Sequence, residues 1–463
     1  MKKIVITILI TAGLSSIAYA KYSGGSGTVG APYQIATAND LLTLAADAND
    51  YDANFVLTAD IDLGSSGTFT TAVIAPDTDN SNYTFEGTSF TGVFNGAGHK
   101  ILSLSIETGG AGNDYLGLFG CVKSGKVENL RLENVIIISG DDSYRLGGLV
   151  GFNNDGNIIN CSSAGDVNGG DNSQFIGGLV GYNYGSISDC YSTGTVAGYS
   201  YLGGLVGENW EGDISNCYSA GAVSGGVNSG IIGGLVGENW KGDISNCYSA
   251  GAVSGGDDSE TIGGLVGYNN GSLSGCYSTG TVTGHSYLGG LVGYNDYCSI
   301  SNCYSTSAVN GGAGSENLGG LVGKNYGTIS NCYSKGAITS GANYLGGLIG
   351  SNAGSITACF WDINTSGTSD GVGNLDPDPT GATGKTTAEM MTQSTFTNSG
   401  WDFTKTDGDP ADWGMPTNGP PRLVWGCIDN FTLINYIGQW KRGEISMSVL
   451  MNYVMIWKYG WGC

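Results

Sequence analysis

Residues 177–196 read Gly177-Gly178-Leu179-Val180-Gly181-Tyr182-Asn183-Tyr184-Gly185-Ser186-Ile187-Ser188-Asp189-Cys190-Tyr191-Ser192-Thr193-Gly194-Thr195-Val196, and the chain copies this stretch many times over. The Gly-Gly-Leu-Val-Gly opening starts at Gly147, Gly177, Gly203, Gly233, Gly263, Gly289 and Gly319. A Gly-Gly-Leu-Ile-Gly form stands at Gly346 and a divergent Leu-Gly-Leu-Phe-Gly at Leu116. Successive starts lie 30, 26, 30, 30, 26, 30 and 27 residues apart, so a block of 86 residues is itself duplicated. A fixed period of this size in a glycine-rich chain is the signature of a solenoid.

Within each unit, short β-capable runs are cut by Gly, Asn and Asp every few residues, which suits strands with sharp corners and leaves no room for helices. One coil cannot bury its own apolar residues. Stacked coils about 4.8 Å apart form continuous parallel sheets around a shared core. The expectation is an all-β, right-handed parallel β-helix of about nine coils, one per repeat, with an N-terminal cap and a small C-terminal αα-hairpin.

Aligning the units exposes columns. Asn153, Asn183, Asn209, Asn239, Asn269, Asn295, Asn325 and Asn352 share one place, and they read as a structural ladder: Asn tolerates the left-handed conformation of a corner, and stacked amides bond from coil to coil. Cys161, Cys190, Cys217, Cys247, Cys276, Cys303, Cys332 and Cys359 form a second column. Their parallel Cβ vectors argue for reduced, buried thiols over disulfides, although twelve cysteines in an exported chain favour bonding. Cys298 stands where other units place a corner glycine.

Around the repeats, the chain opens with Lys2-Lys3, an apolar run and Ala18-Tyr19-Ala20, the pattern of a secretory signal cleaved before Lys21. Residues 21–115 read as a cap with the first coils, 116–362 as the repeat solenoid, 363–427 as a C-terminal cap and loop, and 428–463 as a two-helix module. Ala38 to Ala46 has a polar start and helical leucine spacing. Strand-like runs follow over 55–63, 91–94, 100–106 and 127–138. Residues 365–387 read as a loop, 387–395 as a short helix, and 401–425 as the cover of the last coil. No segment beyond the signal is long enough to span a bilayer, so no transmembrane segment is expected after cleavage.

The net charge of −23, or −25 without Lys2 and Lys3, opposes an electrostatic grip on nucleic acid. A metal centre is not expected, because no Cys-x-x-Cys occurs and His99 and His285 are the only histidines. Asp376 and Asp378 lack the rest of an EF-hand and read as a solvated turn. No cofactor is expected.

The repeated Gly-Leu-Val-Gly with Asn and Asn-Cys-Tyr-Ser-Thr-Gly resembles the GLUG-motif repeat proteins. So do the lead-in Pro32-Tyr33-Gln34-Ile35-Ala36-Thr37, the run from Phe55 to Leu63 and the closing Cys359-Phe360-Trp361-Asp362. The resemblance covers residues 24–426. It implies an exported bacterial surface or extracellular protein of parallel β-helix shape, whose repeat is not catalytic and has no defined ligand. Some relatives carrying this motif are immunoglobulin-A metallopeptidases, but neither His99 nor His285 has the His-Glu-x-x-His context that such chemistry needs. The tail after Ile428 loosely resembles a dockerin without its Asp-rich calcium loops.

The functional expectation is a secreted or cell-surface repeat protein for adhesion, binding extracellular glycans or surface proteins without catalysis. Its candidate ligand-binding residues are Tyr182, Tyr184, Trp210, Trp240, Tyr268, Tyr294 and Tyr326, whose rings can stack on sugars or can form a shielding ladder. The alternative is a polysaccharide-degrading β-helix enzyme. A lyase needs clustered basic residues, and Lys241, Lys324 and Lys335 are scattered. A glycosidase needs two carboxylates, which Glu208 and Glu238 supply, but as copies in twin units they promise no asymmetry of environment. Finally, Cys427 and Cys463 each end a Trp-Gly-Cys triplet and bracket the hairpin. They pair in a disulfide or remain independent thiols.

Overall fold

The computed structural model describes residues 21–110, 112–339, 343–404, 413–416 and 419–423. Over these, the repeats stack in register as a β-solenoid. A nine-stranded parallel sheet runs from Phe119–Lys123 to Ile349–Asn352, with one strand per turn. A twelve-stranded sheet starts earlier, at Tyr33–Ile35, and ends at Ser355–Thr357; a third, larger sheet closes the coil. Repeat position maps onto register position: Val150, Val180, Val206, Val236, Val266 and Val292 pair successively. Ile158, Ile187, Ile214 and Ile244 do the same in the twelve-stranded sheet. All of these valines and isoleucines are fully buried, so the core consists of columns that no single coil could bury.

The recurring glycines of each opening owe their place to close approach. A Cβ on Gly177 would lie 2.0 Å from the Val180 carbonyl oxygen, and one on Gly178 would lie 2.2 Å from Ser192 Oγ. Neither has positive φ.

The asparagine column is a ladder. Asn153 Nδ2 donates to Asn183 Oδ1 at 2.7 Å, Asn183 to Asn209 at 2.7 Å, Asn209 to Asn239 at 2.8 Å, and the chain of amides continues to Asn352. Each amide also donates to a carbonyl two or three residues ahead, such as Gly156, Gly185 and Gly212, and thereby closes the corner. The left-handed conformation expected of this column lies elsewhere. It belongs to the residue before each ladder cysteine, among them Asn160, Asp189, Asn216, Asn246, Asn302 and Asn331, and to residues just past the ladder such as Asp155, Glu211 and Lys241. A buried amide bonded on both sides is held in extended strand, whereas exposed Asn, Asp and Gly take the turn.

The cysteine column is buried and free of disulfides. Each sulfur sits over the coil before it: the Cys161 amide points at Cys190 Sγ, 3.3 Å away, and the Cys190 amide at Cys217 Sγ, 3.4 Å away. Next to it runs a tyrosine ladder, Tyr191, Tyr218, Tyr248, Tyr277, Tyr304 and Tyr333, with ring centroids 4.8–5.0 Å apart and planes within 6° of parallel.

The helix at Ala38–Ala46 begins with a capping box in which Thr37 Oγ1 accepts from the Asp40 amide and the Asp40 carboxylate accepts from the Thr37 amide. It buries Leu41 and Leu44 at the solenoid's N-terminal end. At the other end the expected loop over 365–387 contains a helical turn, Ile363–Ser366, and the strand Ala382–Lys385, which extends the third sheet by pairing with Cys359–Asp362. Asp378 caps the amides of Gly371 and Val372, so its carboxylate organises a turn. Two short helices, Thr387–Met390 and Gln393–Thr397, replace the single one expected.

Trp401 and Trp413 do more than cover the last coil. Together with Met390 and Phe396 they lie along the flank of the solenoid on Phe360, Tyr333 and Tyr304. The tyrosine ladder offers a flat apolar surface that an end cap would leave wet. The signal, the two-helix module and the Cys427 to Cys463 pair lie outside the described residues.

Candidate functional site

The residue before each ladder asparagine forms one outer column: Phe152, Tyr182, Glu208, Glu238, Tyr268, Tyr294 and Lys324 pair in sequence. The residue after it forms another, in which Tyr184, Trp210 and Trp240 are consecutive and Tyr326 stands three coils on. The seven candidate aromatics therefore do not make one stripe. They occupy two columns flanking the buried amides, and Asn270 and Asp296 interrupt the second.

Ring geometry follows from the coil repeat. Trp210 and Trp240 stack at 5.3 Å and 24°, and Tyr184 lies 6.2 Å from Trp210. Tyr268 and Tyr294 stack at 5.2 Å and 13°, and Tyr326 lies 5.7 Å from Tyr294. The six outside the buried Tyr182 are half-buried, and the indole Nε1 of Trp240 is enclosed without an acceptor.

A third column lies alongside, two residues before the Gly-Gly pairs: Arg145, Phe175, Tyr201, Thr261, Tyr287, Asn317 and Tyr344 have φ between 51° and 64°, and Ile231, at the same place before Gly233, does not have positive φ. Phe175 stacks on Tyr201 at 4.8 Å and meets Tyr182 edge-on at 5.4 Å. Sequence reading missed these residues, although the same alignment of repeats that revealed the asparagines lines them up. Tyr297, 76 % exposed and 5.4 Å from Tyr326, was missed as well.

Charge is distributed along this face. At one end the Arg145 guanidinium covers Tyr115, Phe152, Phe175 and Tyr182 at 5.0–5.9 Å. At the other, the Lys324 ammonium lies 5.2–5.6 Å from Tyr287, Tyr294 and Tyr326. Between them sit Glu208 and Glu238, register partners on adjacent strands about one strand spacing, 4.8 Å, apart at the backbone.

Glu208 is only 5 % exposed. Burial, and then the charge of Glu238, push its pKa up to about 8, against the pull of Tyr182 and Arg145. Burial alone raises Glu238 to about 7. The expected equivalence of the pair fails in its surroundings: each glutamate has a tyrosine on its far side, Tyr182 or Tyr268, but Glu208 is buried and feels Tyr182 and Arg145, whereas Glu238 is half-buried and feels neither.

A cleft opens beside the third sheet where a 26-residue coil, with Tyr199 at its short link, runs between the longer loops carrying Asp171 and Val227. No group of three or more His, Cys, Asp or Glu side chains placed to hold a metal occurs among the described residues. No helix among them is long and apolar enough to cross a membrane.

Comparison with known proteins matches the GLUG motif to seven segments, residues 142–168, 174–197, 198–224, 228–254, 258–283, 284–310 and 314–339. Halomucin of Haloquadratum walsbyi is 33 % identical over 152 residues, which make up 31 % of this chain and 2 % of halomucin. The chain thus corresponds to a small part of that relative's length. Among solved structures, a protein of Bacteroides ovatus provisionally named an immunoglobulin A1 protease aligns over 88 % of this chain and 96 % of its own, at 22 % identity and a TM-score of 0.41. An IgA1 protease aligns over 65 % of this chain and 21 % of its own, at 16 % identity and a TM-score of 0.39.

Proposed function

We propose that this chain, a β-solenoid built on seven GLUG motifs, is a secreted or cell-surface repeat protein that binds extracellular glycans along its aromatic face, without catalysis. The observation that carries this reading is the Tyr184, Trp210, Trp240 run: consecutive half-exposed rings, 6.2 Å and 5.3 Å apart and inclined by 38° and 24°, spaced by the coil repeat on a rigid scaffold. Sugar rings bind aromatic faces through their C–H surfaces, and a preformed platform avoids the cost of ordering side chains. The carboxylates and the Tyr268 hydroxyl supply polar groups beside it. Similarity to a stretch of halomucin supports a surface or secreted setting. A glycan array probed with the purified protein, beside the Trp210→Ala/Trp240→Ala variant, tests the reading. Binding lost in the variant supports it; binding equal in both places the ligand elsewhere.

The register pairing of Glu208 with Glu238 favours a second reading. Register pairing sets the two backbones about 4.8 Å apart, and a retaining glycosidase needs its acid and nucleophile carboxyl groups about 5 Å apart. Oligosaccharide release that stops in Glu208→Gln would establish it over binding alone.

A further inference from the structure

The outer column holds two neighbouring carboxylates that the solenoid itself does not neutralise. Glu208 and Glu238 are register partners on adjacent strands, so their side chains leave the same face of the sheet from backbones about 4.8 Å apart. Like charges set opposite each other in a sheet destabilise it, and burial makes an unpaired carboxylate costlier still. Neither glutamate takes part in an ion pair among the described residues. The cations of this face are committed elsewhere. Lys241 pairs with Glu211 at 3.2 Å, Arg145 donates to the Tyr83 carbonyl and the Tyr115 hydroxyl, both at 2.9 Å, and Lys324 lies three coils beyond Glu238.

Aromatic rings wall the pair. In this repeat an outer-column side chain meets the residue two places on in its own strand, as Tyr182 meets Tyr184 at 5.4 Å. It also meets the third-column residue seven places back, as Tyr182 meets Phe175 at 5.4 Å and Tyr294 meets Tyr287 at 6.1 Å. The same offsets place Trp210 and Trp240 along one side of the glutamates, and Tyr201 and Ile231 along the other. Tyr182 and Tyr268, the register neighbours, close the two ends. The result is a trough with a carboxylate floor and largely aromatic walls. Glu208 is buried and Glu238 half-buried, so the trough is entered over Glu238.

We infer that this trough takes the protonated primary amine of a sugar, which makes the ligand of the aromatic face an amino-sugar polymer with free amines; the inference rests on that face binding glycans. Two carboxylates call for a cation that also donates hydrogen bonds. An ammonium carries three donors, whereas a quaternary ammonium carries none. Aromatic faces attract the same charge, and the stacked Trp210 and Trp240 rings offer a surface for the sugar that bears the amine. Burial raises the proton affinity of both carboxyls, and the ammonium replaces that proton as the balancing charge. An N-acetylated sugar has no charge to offer in exchange. The net charge of −23 draws a polycation toward the chain at long range.

Calorimetric titration of the purified chain at pH 7 tests this with three probes: a glucosamine hexasaccharide, its N-acetylated counterpart and hexalysine. The glucosamine oligomer should bind at least about tenfold more tightly than the acetylated one, the scale of one hydrogen bond to a charged group. Glu208→Gln/Glu238→Gln should abolish that preference. Glu211→Gln, which removes an exposed charge outside the trough, should keep it. Circular dichroism reports whether the double variant is folded, and Glu238→Gln alone repeats the titration if it is not. Equal binding of the two oligosaccharides, lost in Trp210→Ala/Trp240→Ala, overturns the amine and leaves glycan binding standing; binding of neither overturns both. A preference that survives in the folded glutamate variant belongs to the net charge and overturns the trough. Hexalysine that binds as tightly as the amino sugar, with or without the two tryptophans, would make the ligand a protein and overturn the sugar.

Discussion

The inner and outer columns of one strand obey different rules. At the inner position, eight successive coils carry asparagine; one residue earlier, the same eight coils carry Phe152, Tyr182, Glu208, Glu238, Tyr268, Tyr294, Lys324 and Ser351. The inner side chain is fully enclosed, and each amide must find its donor and acceptor in the next coil, so any single departure orphans two neighbours. The N-terminal start of the ladder shows the rule by exception. The preceding coil has Val122 at that place, and Asn153 Oδ1 is left buried with no donor. The outer side chain needs only to pack on one side, and is free to vary with what it meets. Uniformity marks what stacking demands, and variation marks where stacking makes no demand.

That contrast breaks most sharply at Asn239. Asn239→Ala removes the donor to Asn269 Oδ1 and to the Gly242 carbonyl, and leaves both acceptors buried. At about 1–3 kcal/mol for each orphan, a loss of about 4 kcal/mol is expected by chemical denaturation. A loss below about 1 kcal/mol, the scale of one ordinary hydrogen bond, would mean the ladder is incidental.

Next in size is the buried glutamate pair, an outer feature that costs stability. A raised folded-state pKa means the folded protein keeps its proton while the unfolded chain ionises, so stability is full below about pH 4.5 and falls as pH rises toward the folded values of about 7 and about 8. Glu208→Gln/Glu238→Gln should therefore stabilise clearly at pH 8 and by little at pH 4, measured as the difference in unfolding free energy. Equal effects at both pH values would place the pair in water.

A smaller effect is expected in the cysteine column. Cys247→Ala should cost about 1–2 kcal/mol for a lost buried sulfur, with no change after reducing agent, since the thiol is free. Alkylation of the ladder cysteines should occur only on unfolding. Modification of the native protein would show the column to be open.

The smallest stability change belongs to the platform. Trp210→Ala/Trp240→Ala removes one stacked pair at the half-exposed corner, and a cost of about 1 kcal/mol is expected, the scale of an aromatic pair. Destabilisation well beyond that would assign the tryptophans to the inner class and take away the main support for glycan binding.

The sequence by itself determined the solenoid, its register and its buried columns. A repeat of fixed length forces equivalent residues into contact with one another, so Asn153 meets Asn183 and Cys161 meets Cys190 whatever the details of the coil. It also determined the first helix, because Thr37 and Asp40 cap it within four residues. Only the tertiary structure decided which residues bend left-handed, since the burial of each position selects between amide ladder and turn. It also split the aromatics into two columns, brought Arg145 and Phe175 over them, and made Glu208 and Glu238 unequal. The descent of Trp401 and Trp413 along the tyrosine ladder was decided in the same way. These contacts join residues that no period relates: the repeat fixes the distance from one copy to the next, and the neighbours of a single copy come from the path of the whole chain.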